Sequence, residues 1–325
     1  MSAMRKALII GISGQDGSYL AELLLKKGYE VHGTSRDADL SNFYGLKKLG
    51  IINRIKLHSM SLIDFRSVMQ TILQIEPEEI YNLAGQTSVG LSFLQPVETL
   101  ESISIGTLNI LEVLRFHKLP IKFYNACSSE CFGDTGSRAA NEETPFKPRS
   151  PYAVAKSAAF WQVANYREAY NLYSCSGILF NHESPLRAKR FVTKKIIDTA
   201  CAIASGEKIK LELGNISIIR DWGWAPEYSY AMHLILLQNK PGDFVISTGK
   251  STSLEKFINL TFQYFNLDYR NYIVIKKEFI RPTDIGFSLG DSSKAAELLK
   301  WVPKVQVKEI IDRMIKDKLS MTDYK

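Results

Sequence analysis

The chain has 325 residues, enough to bury a large core, and its hydrophobic share of 45% and charged share of 23% are those of an ordinary globular protein. No apolar run approaches the ~20 residues of a bilayer span, which excludes a protein built on membrane-crossing helices. The formal net charge of +7 is spread along the chain and not gathered into a basic stripe with aromatic platforms, so nucleic acid is not the expected partner and small anions, phosphates above all, are.

Arg5 and Lys6 lead directly into the apolar run Ala7-Leu8-Ile9-Ile10, which is too short for a secretory signal and has no small-residue cleavage site; a cytoplasmic protein is expected. Similar β-branched and aromatic runs recur at residues 30–34, 55–59, 79–83, 121–126 and 172–179. Segments 18–27, 102–116 and 152–170 between them carry apolar residues at helical spacing. This alternation predicts an α/β protein with a doubly wound parallel sheet, whose helix-covered faces explain strands that are apolar throughout. Beyond residue 180 the alternation loosens into a helical stretch at 191–205, a strand-like 208–213 and a turn-rich 214–226. The expected organisation is therefore a dinucleotide-binding domain with catalytic residues over 1–180. A smaller substrate-binding lobe follows over 181–325, some of its segments returning to the first domain, and the ligand crevice lies between them. Cys127, Cys131, Cys175 and Cys201 include no C-x-x-C pair and no neighbouring His, so buried free thiols are expected and a metal site is not.

Directly after the first strand stands Gly11-Ile12-Ser13-Gly14-Gln15-Asp16-Gly17, followed by the helix-forming Tyr19-Leu20-Ala21-Glu22-Leu23-Leu24-Leu25. Strand, glycine turn and helix in this order form a Rossmann-type dinucleotide site, where the backbone approaches a pyrophosphate and the helix N-terminus stabilises its charge. Past the second strand, Arg36 suits the 2′-phosphate of NADP, while the adjacent Asp37 suits the ribose hydroxyl of NAD. NADP is the expected cofactor and NAD the alternative.

Tyr152 and Lys156 stand four apart at the start of a helix, on one face and about 6 Å apart along its axis. An ammonium there is expected to lower the phenol from its usual ~10 toward the range of a general base. Ser128, at the end of the preceding strand, is placed to bond the same substrate oxygen.

With these motifs, the chain resembles the extended short-chain dehydrogenases/reductases, and among them the GDP-mannose 4,6-dehydratase family. The resemblance runs nearly end to end. It is carried by the glycine turn, by Tyr81-Asn82-Leu83-Ala84-Gly85-Gln86, by Ser128-Ser129-Glu130 and by Pro148-Arg149-Ser150-Pro151-Tyr152. The block from Gly177 through Asn181-His182-Glu183-Ser184-Pro185, the stretch Leu213-Gly214-Asn215 with Arg220-Asp221-Trp222-Gly223, and Arg281-Pro282-Thr283-Asp284 are the narrower matches.

The resemblance implies a sugar-nucleotide dehydratase in which Ser128, Glu130, Tyr152 and Lys156 are catalytic and Glu130 is the base at C5. The cofactor is implied to meet Gly11, Gly14, Gln15, Asp16, Gly17, Arg36, Leu83, Ala84, Gly85, Tyr152, Lys156, His182 and Arg187. Asp64 is the candidate for the adenine, because Ser61 stands where an acid is common. The substrate, GDP-mannose by resemblance, is implied to meet Ser88, Glu130, Asn181, Lys194, Arg220 and Arg281. Trp222 and Trp224 are read as packing residues. Asp37 stands where a second arginine is common in the family. A homodimer or homotetramer built through helices beside the Tyr/Lys element is also implied. Rival readings are a 4-keto-6-deoxy sugar nucleotide reductase, a 4-epimerase, a dehydratase of another sugar nucleotide, and a silent cofactor binder.

Overall fold

The computed structural model describes residues 4–320. Its first half runs β1 (Lys6–Ile10), α1 (Gln15–Lys26), β2 (Glu30–Ser35), α2 (Tyr44–Lys48), β3 (Lys56–Ser59), α3 (Phe65–Ile75) and β4 (Glu79–Asn82). There follow α4 (Val89–Leu94), α5 (Pro96–Leu100), α6 (Gly106–Phe116), β5 (Lys122–Ser128), α7 (Pro151–Tyr170) and β6 (Ser174–Leu179). The second half contains β7 (Asn181–Glu183), α8 (Val192–Ala204), β8 (Leu211–Leu213), β9 (Ile219–Trp224), α9 (Ala225–Leu236) and β10 (Phe244–Ile246). Last come β11 (Ser251–Ser253), α10 (Leu254–Gln263), β12 (Ile273–Ile275) and α11 (Val307–Ser320).

Seven strands pair in parallel in the order β10-β6-β5-β4-β1-β2-β3, a doubly wound sheet whose winding reverses between β1 and β4. Alternation along β1 shows why its sequence is apolar throughout. Ala7 and Ile9 pack with Leu20 and Leu24 of α1 and with Met232 and Ile235 of α9, whereas Leu8 and Ile10 pack with Val68 and Ile72 of α3 and Leu111 of α6. The register aligns Ile10 with Thr34 and Asn82, and Asn82 with Asn125. β5 runs on past that level, with Ser128 opposite Leu179 of β6. Its overshoot carries Ser128 into the crevice above the reversal point, where ligands sit in such sheets.

A further buried cluster joins Ile196 and Ile197 of α8, Trp222 of β9, Phe257 of α10 and Ile311 of α11. Around it β9 pairs with β7 in parallel and with β11 antiparallel, and β8 pairs with β12. The chain after residue 180 also contributes to the main sheet, because β10 adds to its edge beside β6 and α9 packs against α1.

Two elements differ from the sequence expectation. The region expected to turn at 214–226 contains β9, a strand that exists because β7 and β11 flank it, which is non-local pairing that no local pattern reports. The helix expected at 102–116 is longer, since α5, with Pro96 in its first turn, passes through a π turn over Glu101–Ile105 into α6. The wide turn brings Ser102 Oγ to accept a bond from the Gln86 amide at 3.2 Å, which ties the helix to the loop after β4.

Candidate active site

The site begins where β5 meets α7. Ser150 caps α7, its Oγ accepting from the Ala153 amide at 3.1 Å, and Pro151 occupies the first turn, so Tyr152 is held at the helix start. Lys156, one turn on, places Nζ 6.0 Å from the centre of the Tyr152 ring and donates to the Ala126 carbonyl at 2.7 Å. Ser128 Oγ accepts from the Glu130 amide at 3.3 Å and is hydrogen-bonded to the Tyr152 side chain. Ser128 and Tyr152 are therefore bonded to each other, with Lys156 beside the Tyr152 ring one turn along the helix.

The electrostatics here differ from the expectation that Lys156 lowers the phenol. Burial pushes Tyr152 well above its ordinary range, and the bond to Ser128 opposes this only in part. Burial also pushes Lys156 down. The ammonium is directed to a backbone carbonyl, and desolvation of the phenolate outweighs its attraction across 6.0 Å. Glu130, half-buried at the cavity wall, is raised by burial against the pull of Arg220 and Arg281, with Asp284 adding to the rise.

The glycine turn shows two kinds of requirement. Gly11 has φ +84°, and a Cβ there would lie 2.9 Å from the Ala84 backbone; at Gly17 a Cβ would lie 2.6 Å from Ile12 Cα. Gly14 is different, because its Cβ would meet only the Gly11 carbonyl oxygen at 3.4 Å. Nothing inside the fold demands glycine at that position. It heads α1, no side chain caps the helix there, and the open cradle fits a pyrophosphate on the first-turn amides.

Beside this cradle the first turn of α1 is bonded to β7. Asp16 Oδ2 lies 2.9 Å from His182 Nε2, Gln15 Nε2 donates to Asp16 Oδ1 and to the His182 carbonyl at 3.1 Å, and Ser184 Oγ donates to Gln15 Oε1 at 2.7 Å. Arg187 lies 3.1 Å from Glu183 and covers the Phe191 ring at 3.7 Å.

A cavity of about 730 Å³ brings together Ser128, Glu130, Tyr152 and Lys156 with Asp16, Leu83, Ser88, Asn181, His182, Arg187, Arg220 and Arg281. Ser88 Oγ also caps α4 through the Leu91 amide at 3.2 Å. Gly11, Gly14, Gln15, Gly17, Ala84 and Gly85 lie outside its lining, in the α1 turn and the loop after β4. Arg36 is exposed just past β2 and has no charged partner among the described residues. Asp37 Oδ1 accepts from the Asp39 amide at 3.0 Å and the Leu40 amide at 2.9 Å, so its carboxylate is engaged in its own loop. Asp64 caps α3 through the Arg66 and Ser67 amides at 3.0 and 3.3 Å and lies away from the cavity.

Lys194 is also not brought to the cavity. It is buried beside Asp198, 3.3 Å away and one turn along α8, whereas its neighbour Lys195 lines the wall and donates to the Glu212 carbonyl at 2.6 Å. The sequence reading missed Asp284, whose Oδ1 lies 3.3 Å from Arg220 and 3.4 Å from Arg281 and joins the two arginines. Its position three residues after Arg281, in a matched block, was the available signal. Trp222 packs against Phe257 at 5.3 Å and also borders the cavity, and Trp224 is buried under Arg313.

A sequence model of the family described as GDP-mannose 4,6 dehydratase matches residues 8–314. The chain belongs to the GDP-mannose 4,6-dehydratase family. Over 97% of its length, and 90% of the relative's, it is 45% identical to GDP-mannose 4,6 dehydratase 1 of Arabidopsis thaliana. Among solved structures it resembles the dTDP-glucose 4,6-dehydratase of Bacillus anthracis in complex with NAD, at TM-score 0.85 and 17% identity, covering 99% of this chain and 98% of the other. It also resembles RMD of Pseudomonas aeruginosa complexed with NADPH, at TM-score 0.81 and 21% identity, covering 98% and 100%. Both likenesses show the fold that this dehydratase family member adopts.

Proposed function

We propose that the protein converts GDP-mannose to GDP-4-keto-6-deoxymannose and water. The observation that carries this reading is the position of Glu130. A carboxyl group pushed upward by burial shares one cavity with the Ser128, Tyr152 and Lys156 group, beside Arg220 and Arg281. Oxidation at C4 alone requires no second acid–base group, whereas elimination across C5 and C6 does.

In this mechanism Tyr152, protonated in the unliganded site, would lose its proton to solvent beside a bound, positively charged nicotinamide and Lys156, and its oxygen then takes the C4 hydroxyl proton while the Ser128 hydroxyl donates to the same oxygen. The resulting ketone acidifies the C5 proton. Glu130 removes it and passes it to the departing C6 hydroxyl, which leaves as water; the proton taken by Tyr152 is released to solvent, and Glu130, after taking up a proton from solvent, reprotonates C5. A nicotinamide cofactor bound at the α1 turn would supply reversible hydride chemistry between C4 and C6, so no net oxidant would be consumed. Lys156 holds the Tyr152 end of the helix against β5 through Ala126.

Arg220 and Arg281, splayed around Asp284, suit the two phosphates of the substrate. Asn181 and Ser88 complete the proposed substrate contacts, with Lys195 in place of Lys194 at the wall. The cofactor pyrophosphate is assigned to the α1 turn, with Leu83, Ala84 and Gly85 beside it and His182 and Arg187 toward its nicotinamide end. NADP is the proposed cofactor, because Arg36 is available while Asp37 is bonded within its loop. The adenine assignment of Asp64 rests on its remaining carboxylate oxygen, since Oδ1 caps the helix.

The proposed assembly is a homodimer, or a homotetramer made of two. Val154 and Trp161 of α7, 46% and 62% exposed, and Leu94 and Val97 nearby, 80% and 68% exposed, form the apolar surface a second copy would cover. A cytoplasmic setting suits the four unpaired cysteines, and no helix among the described residues is long and apolar enough to cross a membrane.

The test is to incubate the purified chain with GDP-mannose and catalytic NADP⁺. A product lighter by one water, formed without net NADPH, supports the reading. Unchanged GDP-mannose would favour a reductase on the same scaffold, and an isomer of equal mass an epimerase.

A further inference from the structure

Two thiols lie beneath the catalytic loop, and the proposed reaction uses neither. Cys127 is the last residue but one of β5, and Cys131 is in the 3-10 turn Ser129–Phe132. Between them the chain contains only Ser128, Ser129 and Glu130. Their sulfur atoms are 3.6 Å apart, a hydrogen-bond distance for sulfur, and are not joined as a disulfide. Both also touch α7: Cys131 Sγ donates to the Ala153 carbonyl at 3.7 Å, and Cys127 Sγ lies 4.0 Å from that of Lys156. The surroundings are Phe132, Phe160, Ile178 and Phe180, which any small apolar side chain would satisfy, so packing alone does not call for two sulfurs here. Cys131 is sealed from solvent, but Cys127 borders the active-site cavity.

We propose that Cys127 and Cys131 form an oxidisable dithiol that closes to a disulfide when peroxide enters the empty active site, and that closure switches the enzyme off. In the first step the Cys127 sulfur displaces water from hydrogen peroxide and becomes a sulfenic acid. The Cys131 sulfur then attacks it, forming the S–S bond and releasing a second water. The two thiols lose two electrons, and the peroxide bond accepts them. Burial holds the Cys127 thiol well above its ordinary range, which makes the first step slow.

A disulfide requires about 2.05 Å between the sulfurs, so the 3.6 Å gap must close by moving the 129–132 turn against α7. Glu130 travels with that turn, while Tyr152 is held by its cap. A displacement of about 1 Å between reacting groups costs on the order of a hundredfold in rate. The thiol pairing stands on this geometry alone. The loss of activity rests on the dehydratase reading.

Cleavage after Lys122 and Arg138 leaves both cysteines in one tryptic segment, 123–138, so the test reads that segment by mass after peroxide treatment of the full chain and alkylation. The expected result is a species lighter by two hydrogens that refuses alkylation. It should appear in step with a roughly hundredfold loss of GDP-mannose turnover and be reversed by dithiothreitol. Saturating GDP-mannose with NADP⁺ should slow it by covering Cys127. Cys131→Ala and Cys127→Ser, each compared with its own untreated sample, should resist reversible inactivation. Two thiols that remain alkylatable, or that proceed to sulfinic acid, would overturn the proposal. A disulfide formed with activity retained would overturn the switch. Should GDP-mannose prove not to be a substrate, the mass shift still decides the pairing.

Discussion

His182 is held at both ring nitrogens: Nδ1 donates to the Phe180 carbonyl oxygen, which can only accept, at 2.7 Å, and Nε2 lies 2.9 Å from the Asp16 carboxylate. With Nδ1 committed as a donor, Nε2 against the carboxylate fits an imidazolium–carboxylate pair at the edge of the cavity. Burial alone would lower His182, but attraction to Asp16 outweighs it and the ring is raised; Asp16 is lowered against its own burial by His182. Tyr228 stacks on the ring at 4.5 Å. Asp16→Asn should leave His182 neutral, with Nε2 accepting from the new amide, and lower stability by about 1–2 kcal/mol. Nitrogen chemical shifts of the ring at pH 7 check the charge. A neutral His182 in the unaltered protein would refute the assignment.

Tyr152→Phe removes the proposed proton acceptor and one hydrogen bond to Ser128, and leaves the Ser150 cap and the Lys156 bond intact. Turnover should fall by roughly 10²–10⁴, with cofactor affinity nearly unchanged by fluorescence titration. Normal turnover would remove Tyr152 from the mechanism.

The parts of this site legible in the sequence are those set by local spacing. Four residues separate Tyr152 from Lys156, the glycines lie between a strand and a helix, and the apolar strands of the first half announce a sheet covered on both faces. What could not be read depended on distant partners. Lys194 and Lys195 are adjacent, and the rotation of α8 decides which faces the cavity. Arg36 pointed to NADP, but nothing local showed that the competing Asp37 carboxylate is bonded within its own loop. The phenol shift required knowing that Lys156 faces the Ala126 carbonyl and that Tyr152 is desolvated. β9 required β7 and β11.

His233 supplies a pH prediction. Burial, with Lys27 and Arg5 adding, pushes its ring down to about 4, and its Nδ1 has no hydrogen-bond partner among the described residues. The folded value lies below the unfolded one, so the neutral ring is favoured in the native state. Its contribution is full above pH ~6.5 and is lost as pH falls toward 4. Allowing for partial screening, the loss should approach about 2 kcal/mol. Urea denaturation at pH 7 and pH 5 should show a smaller drop for His233→Phe, and an equal drop in both proteins would count against this account.

Arg36→Ala tests the cofactor. If Arg36 meets a 2′-phosphate, the substitution removes a charge-assisted bond worth about 1.5–3 kcal/mol, which raises the NADP dissociation constant tenfold or more while leaving that for NAD nearly unchanged. Isothermal titration with both dinucleotides decides it, and equal weakening of both would assign Arg36 no role in the choice.

Glu130→Gln separates dehydration from simple oxidation. The amide has the shape of the carboxyl group but cannot take up a proton, and Arg220 and Arg281 keep Asp284 as their partner, so substrate binding should survive. C4 oxidation should proceed while elimination stalls, so NADPH accumulates and 6-deoxy product falls by about 10²–10⁴. Incorporation of deuterium from solvent at C5 should disappear in parallel, because the same side chain removes the C5 proton and delivers its replacement from solvent. A structural role would instead raise KM or lower stability and leave the oxidised intermediate uncommitted to accumulation. Normal product with normal C5 exchange would show that another group performs the elimination.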